Sequence, residues 1–214
     1  MTAPPRSSSA SRKTVEGLAI FPLPTLLFPG GVLPLRIFET RYMDMVRECM
    51  KHDRPFGVCQ ISRGHETGLP AEHEKVGCLA RITQWDMVQL GLLHLRVCGS
   101  RRFRIVERYV EKSALIRANV VLLDEDPEVP VPPDLHCCRD LVKRLVEQLE
   151  QEEPRQDHRL VSTPYAYDSA SWIGNRLCEF PPIPPKAKQK LMELDEPLTR
   201  LYLVKQFLEK EKIL

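Results

Sequence analysis

Cysteine and histidine are the side chains of this sequence with the most obvious chemistry, and their spacing tests for nucleophilic or metal sites. The seven cysteines are scattered over 214 residues and include no Cys-x-x-Cys pair, the spacing typical of zinc ligands. A nucleophilic cysteine needs a thiolate of low pKa beside a base, and only Cys137 follows a histidine, His136. The other cysteines stand among Val, Leu and Ala. This pattern predicts small buried residues of a reduced, cytoplasmic protein.

Motifs that position catalytic groups are missing from the sequence. It contains no Gly-Lys pair, which the phosphate-binding loop of a nucleotide-driven machine requires. It has neither a Gly-x-Ser-x-Gly elbow nor a His-Glu-x-x-His zinc motif. His65 and His73 could act as metal ligands, but the polar segment 63–75 around them is more typical of a solvated hairpin loop. We therefore expect no catalytic residue, no metal and no cofactor.

A basic stretch is the strongest candidate for a charged ligand. Arg101, Arg102 and Arg104 surround Phe103, and arginines interleaved with an aromatic residue on a sheet can contact phosphates and stack bases. The alternative is a solvated sheet face on which these arginines pair with nearby glutamates. The formal net charge of +2, from 31 basic and 29 acidic residues, favours this alternative, because bulk polyelectrolyte binding needs an excess of positive charge.

The most apolar stretch of the chain, residues 18–35, does not have the pattern of a membrane helix. Prolines and a Gly-Gly pair interrupt it. The hydrophobic content of 43% is ordinary for a globular protein. The sequence therefore predicts a soluble protein without membrane association.

Short apolar runs of period two dominate residues 15–126 and predict half-buried antiparallel strands joined by turns, for example over Val76–Ile82. Phe28–Gly31 supplies a tight turn of the Pro-Gly type. One helix interrupts the strands, with Thr40 as a plausible N-cap. Its apolar face is expected to contain Tyr42, Met45, Val46 and Cys49.

The pattern changes at residues 124–133, which are rich in acids and prolines and predict a connection. After it, apolar residues recur at helical spacing and predict four helices, the second capped by Asp168 or Ser169 and the fourth by Asp195. The expected stripe of the first of these helices is Leu135, Cys138, Val142, Leu145 and Leu149. We therefore divide the chain into a disordered tail (1–14), a β domain (15–126) and a helical subdomain (127–214).

Three motifs near the amino terminus carry a family resemblance. Ile20–Pro24, Leu27–Leu35 and Ile37–Tyr42 (IFPLP, LFPGGVLPL and IFETRY) resemble, in this order, the opening of the amino-terminal substrate-binding domain of Lon proteases. Later segments resemble further motifs of that domain: Val76–Ile82, Gly99–Ile105 and Leu191–Arg200. The resemblance spans residues 17–208, and the family's ATPase and peptidase would begin beyond it, so no catalysis carries over.

The resemblance implies an α+β fold, a six-stranded PUA-like β pseudo-barrel with one inserted helix, followed by a small four-helix subdomain. It implies a non-enzymatic module that recognises unfolded or tagged polypeptides, or another protein, as an adaptor or chaperone-like binder. Binding of RNA or other nucleic acid is the alternative, because PUA-like barrels are also used in that way. The oligomeric state stays open.

A groove between barrel and helices is the expected binding surface, because exposed apolar residues there could accept an extended segment. The apolar candidates are Phe28, Leu35, Phe38 and Tyr42, although core packing is the more common role of such residues. Glu39 and Arg41 flank the start of the first helix and could pair with each other or with a partner.

Overall fold

The computed structural model describes residues 13–152 and 161–214. Its six strands are β1 (Thr14–Leu23), β2 (Val32–Ile37), β3 (Phe56–Arg63), β4 (Glu72–Gln89), β5 (Leu92–Val110) and β6 (Ile116–Leu122). Its helices are α1 (Thr40–His52), α2 (His136–Glu152), α3 (Ala170–Glu179), α4 (Pro185–Glu193) and α5 (Pro197–Lys210), with a 3-10 turn at Pro133–Leu135. The predicted α+β fold is confirmed. Residues 1–12 of the predicted tail lie outside the described residues, and β1 already begins at Thr14.

The sheet closes on itself because β6 pairs with both β1 and β5. The strand order is β2-β5-β4-β3-β1-β6, with β5–β6 as the closing pair. β5 is long enough to pair with β2 through its first half and with β6 through its second half. β1 and β3 pair in parallel, and α1 lies in the crossover between them. The result is a pseudo-barrel with β2 attached at its side.

The helix α1 covers one end of the barrel interior with the predicted face. Tyr42, Met45, Val46 and Cys49 are all buried in the same apolar cluster as residues of the barrel strands. The predicted N-cap Thr40 is wrong by one residue, since the backbone carbonyl of Glu39 accepts the first amides of the helix.

The carboxyl end of α1 turns sharply at Asp53. This residue has a left-handed conformation, with φ 47°, and the amide of Arg54 donates to the carbonyl of Cys49 at 2.9 Å. This pattern is a common way to satisfy the last carbonyls of a helix. It brings Arg54 back beside the last turn of α1.

The four carboxyl-terminal helices, which we call the helical lobe, enclose a separate apolar core. Ser169 is the cap of α3, since its hydroxyl accepts the amide of Trp172 at 3.3 Å. Glu196 rather than the predicted Asp195 precedes α5, and Pro197 is its first residue. Phe28 reaches from the barrel into this core and is completely buried there, so it holds the lobe against the barrel.

A group of buried charges, which we call the inter-lobe joint, fixes the connection between barrel and helical lobe. Asp126 pairs with Arg102 of β5 at 2.8 Å and with Arg200 of α5. Arg102 also donates to the carbonyls of Met192 and Leu194, at 2.7 and 2.6 Å. Burial opposes ionisation of Asp126, but the hydrogen bond and charge of Arg200, with those of its other partners, hold the pKa of Asp126 below its usual value.

A second contact across the boundary joins the turn Phe28–Gly31 to α3. Glu179 accepts the amide of Phe28 at 3.2 Å and pairs with Arg176 at 3.0 Å, while Arg176 donates to the carbonyl of Pro29 at 3.0 Å. A Cβ on Gly31 would collide with the carboxylate of Glu179, which would then have to shift away from its present partners. Burial raises the pKa of Glu179 to about 7.

Neither a membrane-spanning helix nor a metal site is found in the part of the chain that the structure describes. No helix there is long and apolar enough to cross a bilayer. No three His, Cys, Asp or Glu side chains in the same ranges are grouped so that they could hold a metal ion.

Candidate functional site

The hairpin of β4 and β5 extends beyond the rest of the barrel. Gln89 pairs with Leu92, so Leu90 and Gly91 form the turn, and Gly91 has a φ of +84° that favours glycine. From Thr83 to Gly91 every residue whose exposure is described is exposed. We call residues 83–91 the hairpin tip.

The hairpin tip presents large apolar side chains to solvent. Trp85 is 56% exposed, Met87 47% and Leu90 97%. Large apolar side chains grouped on a surface are typical of interaction sites. Covering the exposed part of one tryptophan ring by a partner contributes on the order of 2–3 kcal/mol.

A cleft of about 330 Å³ lies beside the hairpin tip, between the end of α1 and β4. Its lining is Cys49, Met50, Asp53, Arg54, Arg81, Ile82, Thr83 and Trp85. The cleft exists because β3 begins at Phe56, opposite Ala80. The edge of β4 from Arg81 onward therefore has no strand neighbour on this side.

Strand register explains why the cleft has an apolar floor. Ile82 lies opposite Val97 and Trp85 opposite Leu95, and directly opposed residues of an antiparallel pair share a face. Val97 and Leu95 belong to the barrel core beneath α1, so the cleft continues the face of that core outward. Asp86, opposite His94, lies on the other face.

Thiol chemistry is disfavoured at the buried cysteines. Burial raises the pKa of Cys49, beside the cleft, to about 11, and that of Cys178 to about 12. Their thiols are therefore protonated near neutral pH. Cys137, which follows His136 in the sequence, is exposed at the start of α2, and the adjacent Cys138 is buried.

Three of the apolar residues predicted to bind a partner lie in the interior. Phe28 is 0% exposed, Tyr42 5% and Leu35 8%, which leaves little side-chain surface for a ligand. Phe38 differs, since it is 58% exposed. It follows Ile37, which lies opposite Leu93 near the start of β5, so Phe38 lies at the same end of the sheet as the hairpin tip.

Glu39 and Arg41 pair with each other, at 2.9 Å. Arg41 also donates to the carbonyl of Ala114 at 3.1 Å and lies over the ring of Tyr42 at 4.6 Å. Burial raises the pKa of Tyr42 to about 12. Arg41 thus ties the start of α1 to the loop before β6.

The predicted basic stretch separates into three environments. Arg102 lies inside the inter-lobe joint and is 4% exposed. Arg101 donates to the carbonyl of Leu123 at 2.7 Å and is half-buried, whereas Arg104 is exposed. The structure does not bring the three guanidinium groups together on one surface.

The predicted groove between barrel and helical lobe is present, with a volume of about 420 Å³. Of the nine residues predicted to bind a partner, Arg101 and Arg102 line it. Its other walls are mostly polar and include Asp124, Glu125, Asp126 and Glu128, together with Trp172. The large apolar side chains that are most exposed lie outside this groove, and Trp85, Met87 and Leu90 of the hairpin tip are among them.

Fold and site together define the class of protein, an α+β pseudo-barrel with a helical lobe and an exposed apolar hairpin. The chain matches the family described as the ATP-dependent protease La (LON) substrate-binding domain over residues 17–210. It therefore belongs to the Lon substrate-binding domain family, as the sequence motifs predicted.

Relatives and solved structures agree with this assignment. The Lon protease of Cytophaga hutchinsonii is 26% identical over 205 residues, which cover 91% of this chain and 24% of that protein. Cereblon of Danio rerio is 24% identical over 168 residues, or 77% of this chain and 37% of that protein. The chain spans about a quarter of the length of the curated Lon proteases that it matches.

A crystal structure of a Lon N-terminal domain protein from Xanthomonas campestris matches with a TM-score of 0.71 and 29% identity, covering 89% of this chain and 97% of that one. The N-terminal domain of a Mycobacterium avium complex Lon protease, with a TM-score of 0.54 and 18% identity over 90% of this chain and 96% of that one, has the same fold.

Proposed function

We propose that this chain is a non-enzymatic module that binds apolar polypeptide segments, as an adaptor or chaperone-like binder, through the hairpin tip and the adjacent cleft. The observation that carries the proposal is the exposure of Trp85, Met87 and Leu90 beside an apolar-floored cleft. Membership of a substrate-binding family supports polypeptides as the ligand class.

The shape of the site suits an unfolded segment. The cleft is open along the edge of β4 from Arg81 to the turn, so an extended chain can lie beside it without displacing a strand. An apolar side chain of that segment would fill the cleft against Ile82 and Trp85, while Met87 and Leu90 would cover its neighbours. Such contacts depend on apolar area rather than on one sequence, which suits a binder of many polypeptides.

Nucleic-acid binding has weaker support in the geometry. Arg102 forms its hydrogen bonds within the protein, and Arg101 donates to the backbone carbonyl of Leu123. Arg104 would therefore have to contact a nucleic acid without Arg101 or Arg102 beside it.

The proposal is tested with a reduced and carboxymethylated protein that stays unfolded in native buffer. The variant Trp85→Ser/Met87→Ser/Leu90→Ser should bind this ligand at least about tenfold more weakly than the wild type, because the apolar contact area is lost. The matched control is Val106→Ser/Tyr109→Ser/Val110→Ser, which removes exposed apolar side chains from the other end of β5. Equal affinities for wild type, tip variant and control would contradict the proposal.

A further inference from the structure

Unpaired basic side chains lie at the rim of the cleft. Arg54 and Arg81 both line it and are exposed. Within residues 13–152 and 161–214 neither side chain has an ion-pair partner; the ion pairs of this region involve other residues. The last turn of α1 adds Lys51 and His52, which are also exposed.

The acidic residues of α1 near this rim have their ion pairs with other residues, although the charge of Glu48 also acts on Arg54 and His52. Asp44 of α1 pairs with Arg47 at 2.6 Å, and Glu48 pairs with Arg117 at 2.6 Å. Asp86 is not among the residues that line the cleft. Asp53 is the one acid in the cleft lining, against two arginines, so the rim keeps an excess of positive charge.

Apolar floor and basic rim together favour one kind of ligand. We propose that the segment bound in the cleft carries a bulky apolar side chain flanked by acidic residues, so that the apolar group rests on Ile82 and Trp85 while the carboxylates meet Arg54 and Arg81. This inference rests on the proposed function and adds the chemical class of the segment. Charges at the rim of an apolar contact act mainly through complementarity, which selects among ligands of equal apolar area.

The test uses labelled peptides with one Leu-Phe-Leu core and flanks of Glu, Gln or Lys, measured by fluorescence anisotropy at low salt. The expected order of affinity is Glu, then Gln, then Lys, with each step about three- to tenfold, as for a small number of exposed charge pairs. Added salt should reduce the difference between the peptides, because exposed charges are screened.

A charge-reversal variant tests whether Arg54 and Arg81 set this preference for acidic flanks. Arg54→Glu/Arg81→Glu should invert the preference to Lys over Glu, while the Gln peptide changes little. The matched control Lys186→Glu/Lys210→Glu makes the same change of net charge at exposed positions of α4 and α5 and should keep the wild-type order. Equal binding of the three peptides, or an unchanged order in Arg54→Glu/Arg81→Glu, overturns the inference and leaves the proposed function intact.

Other outcomes separate the two proposals. If none of the peptides binds, and the reduced and carboxymethylated protein does not bind either, both proposals fall together.

A separate experiment tests binding to phosphatidylcholine vesicles that contain phosphatidylserine. Binding to these vesicles that depends on Arg54 and Arg81, without any peptide preference, would assign the basic rim to a lipid surface and overturn the inference. Self-association that Trp85→Ser abolishes, again without peptide preference, would assign it to a second copy of the chain.

Discussion

The inter-lobe joint and the hairpin tip both place side chains in unusual environments, and they do so in opposite ways. The joint buries charged side chains, and the tip exposes large apolar ones. In the joint, Arg102, Asp126 and Arg200 are 4%, 8% and 1% exposed, although charged residues are normally solvated. In the tip, Trp85 and Leu90 are 56% and 97% exposed, although large apolar residues are normally covered. The charges of the joint are satisfied by other described residues, whereas no residue within 13–152 and 161–214 covers the apolar groups of the tip. The comparison indicates that the joint maintains the fold and the tip is available to a partner.

Removal of the central acid should break the joint. Asp126→Ala leaves two buried arginines without their carboxylate, and we expect a loss of about 3–5 kcal/mol in the free energy of unfolding. Urea denaturation followed by circular dichroism measures this loss. The control is Asp195→Ala, because Asp195 also pairs with Arg102 but is 75% exposed, so its removal should cost less than about 1 kcal/mol. Similar losses for both variants would show that burial does not decide the strength of the joint.

The pH dependence of stability tests the protonation of Glu179 at the boundary between barrel and helical lobe. The pKa of Glu179 is raised by burial from 4.5 to about 7, so the folded state holds the proton more tightly than the unfolded state. The resulting stabilisation is complete below pH 4.5 and is lost as the pH rises through about 7, by on the order of 3 kcal/mol. Denaturation of the wild type and Glu179→Gln from pH 5 to 8 measures it. The variant should lack this part of the pH dependence, and identical profiles would refute the assignment.

The hairpin tip should respond more weakly than the joint. Trp85→Ser should lower the free energy of unfolding by only about 1–2 kcal/mol, less than the loss in the joint, since 56% of the residue is exposed and only the remainder has packing to lose. The same denaturation experiment tests this. A loss above about 2 kcal/mol would mean that Trp85 supports the fold, and the contrast between the two regions would fail.

Local sequence patterns predicted the elements whose neighbours are close in the chain. The face of α1, the cap at Ser169 and the turn Phe28–Gly31 follow from spacing, capping chemistry and proline–glycine geometry. The motifs predicted the family, and with it the barrel and the four later helices.

The candidate site could not be predicted because it depends on contacts that the local pattern does not contain. The period-two pattern of β4 ends at Ile82, since a register shift after that residue interrupts the alternation. Trp85 is exposed because β3 begins only at Phe56 and α1 ends at His52, and both facts concern distant segments. Likewise, Arg102 looks like its surface neighbours in sequence, and it is enclosed by the distant residues Asp126, Met192 and Leu194.

The fluorescence of Trp85 tests the central claim most directly. The sequence contains two tryptophans, so Trp172→Phe leaves Trp85 as the single reporter, and Trp85→Phe leaves Trp172 as the matched control. Titration with the reduced and carboxymethylated protein, labelled by a quencher and free of tryptophan, should shift the Trp85 emission to shorter wavelength and quench it, while Trp172 stays unchanged. Binding of the ligand without any change in Trp85 emission would contradict the account.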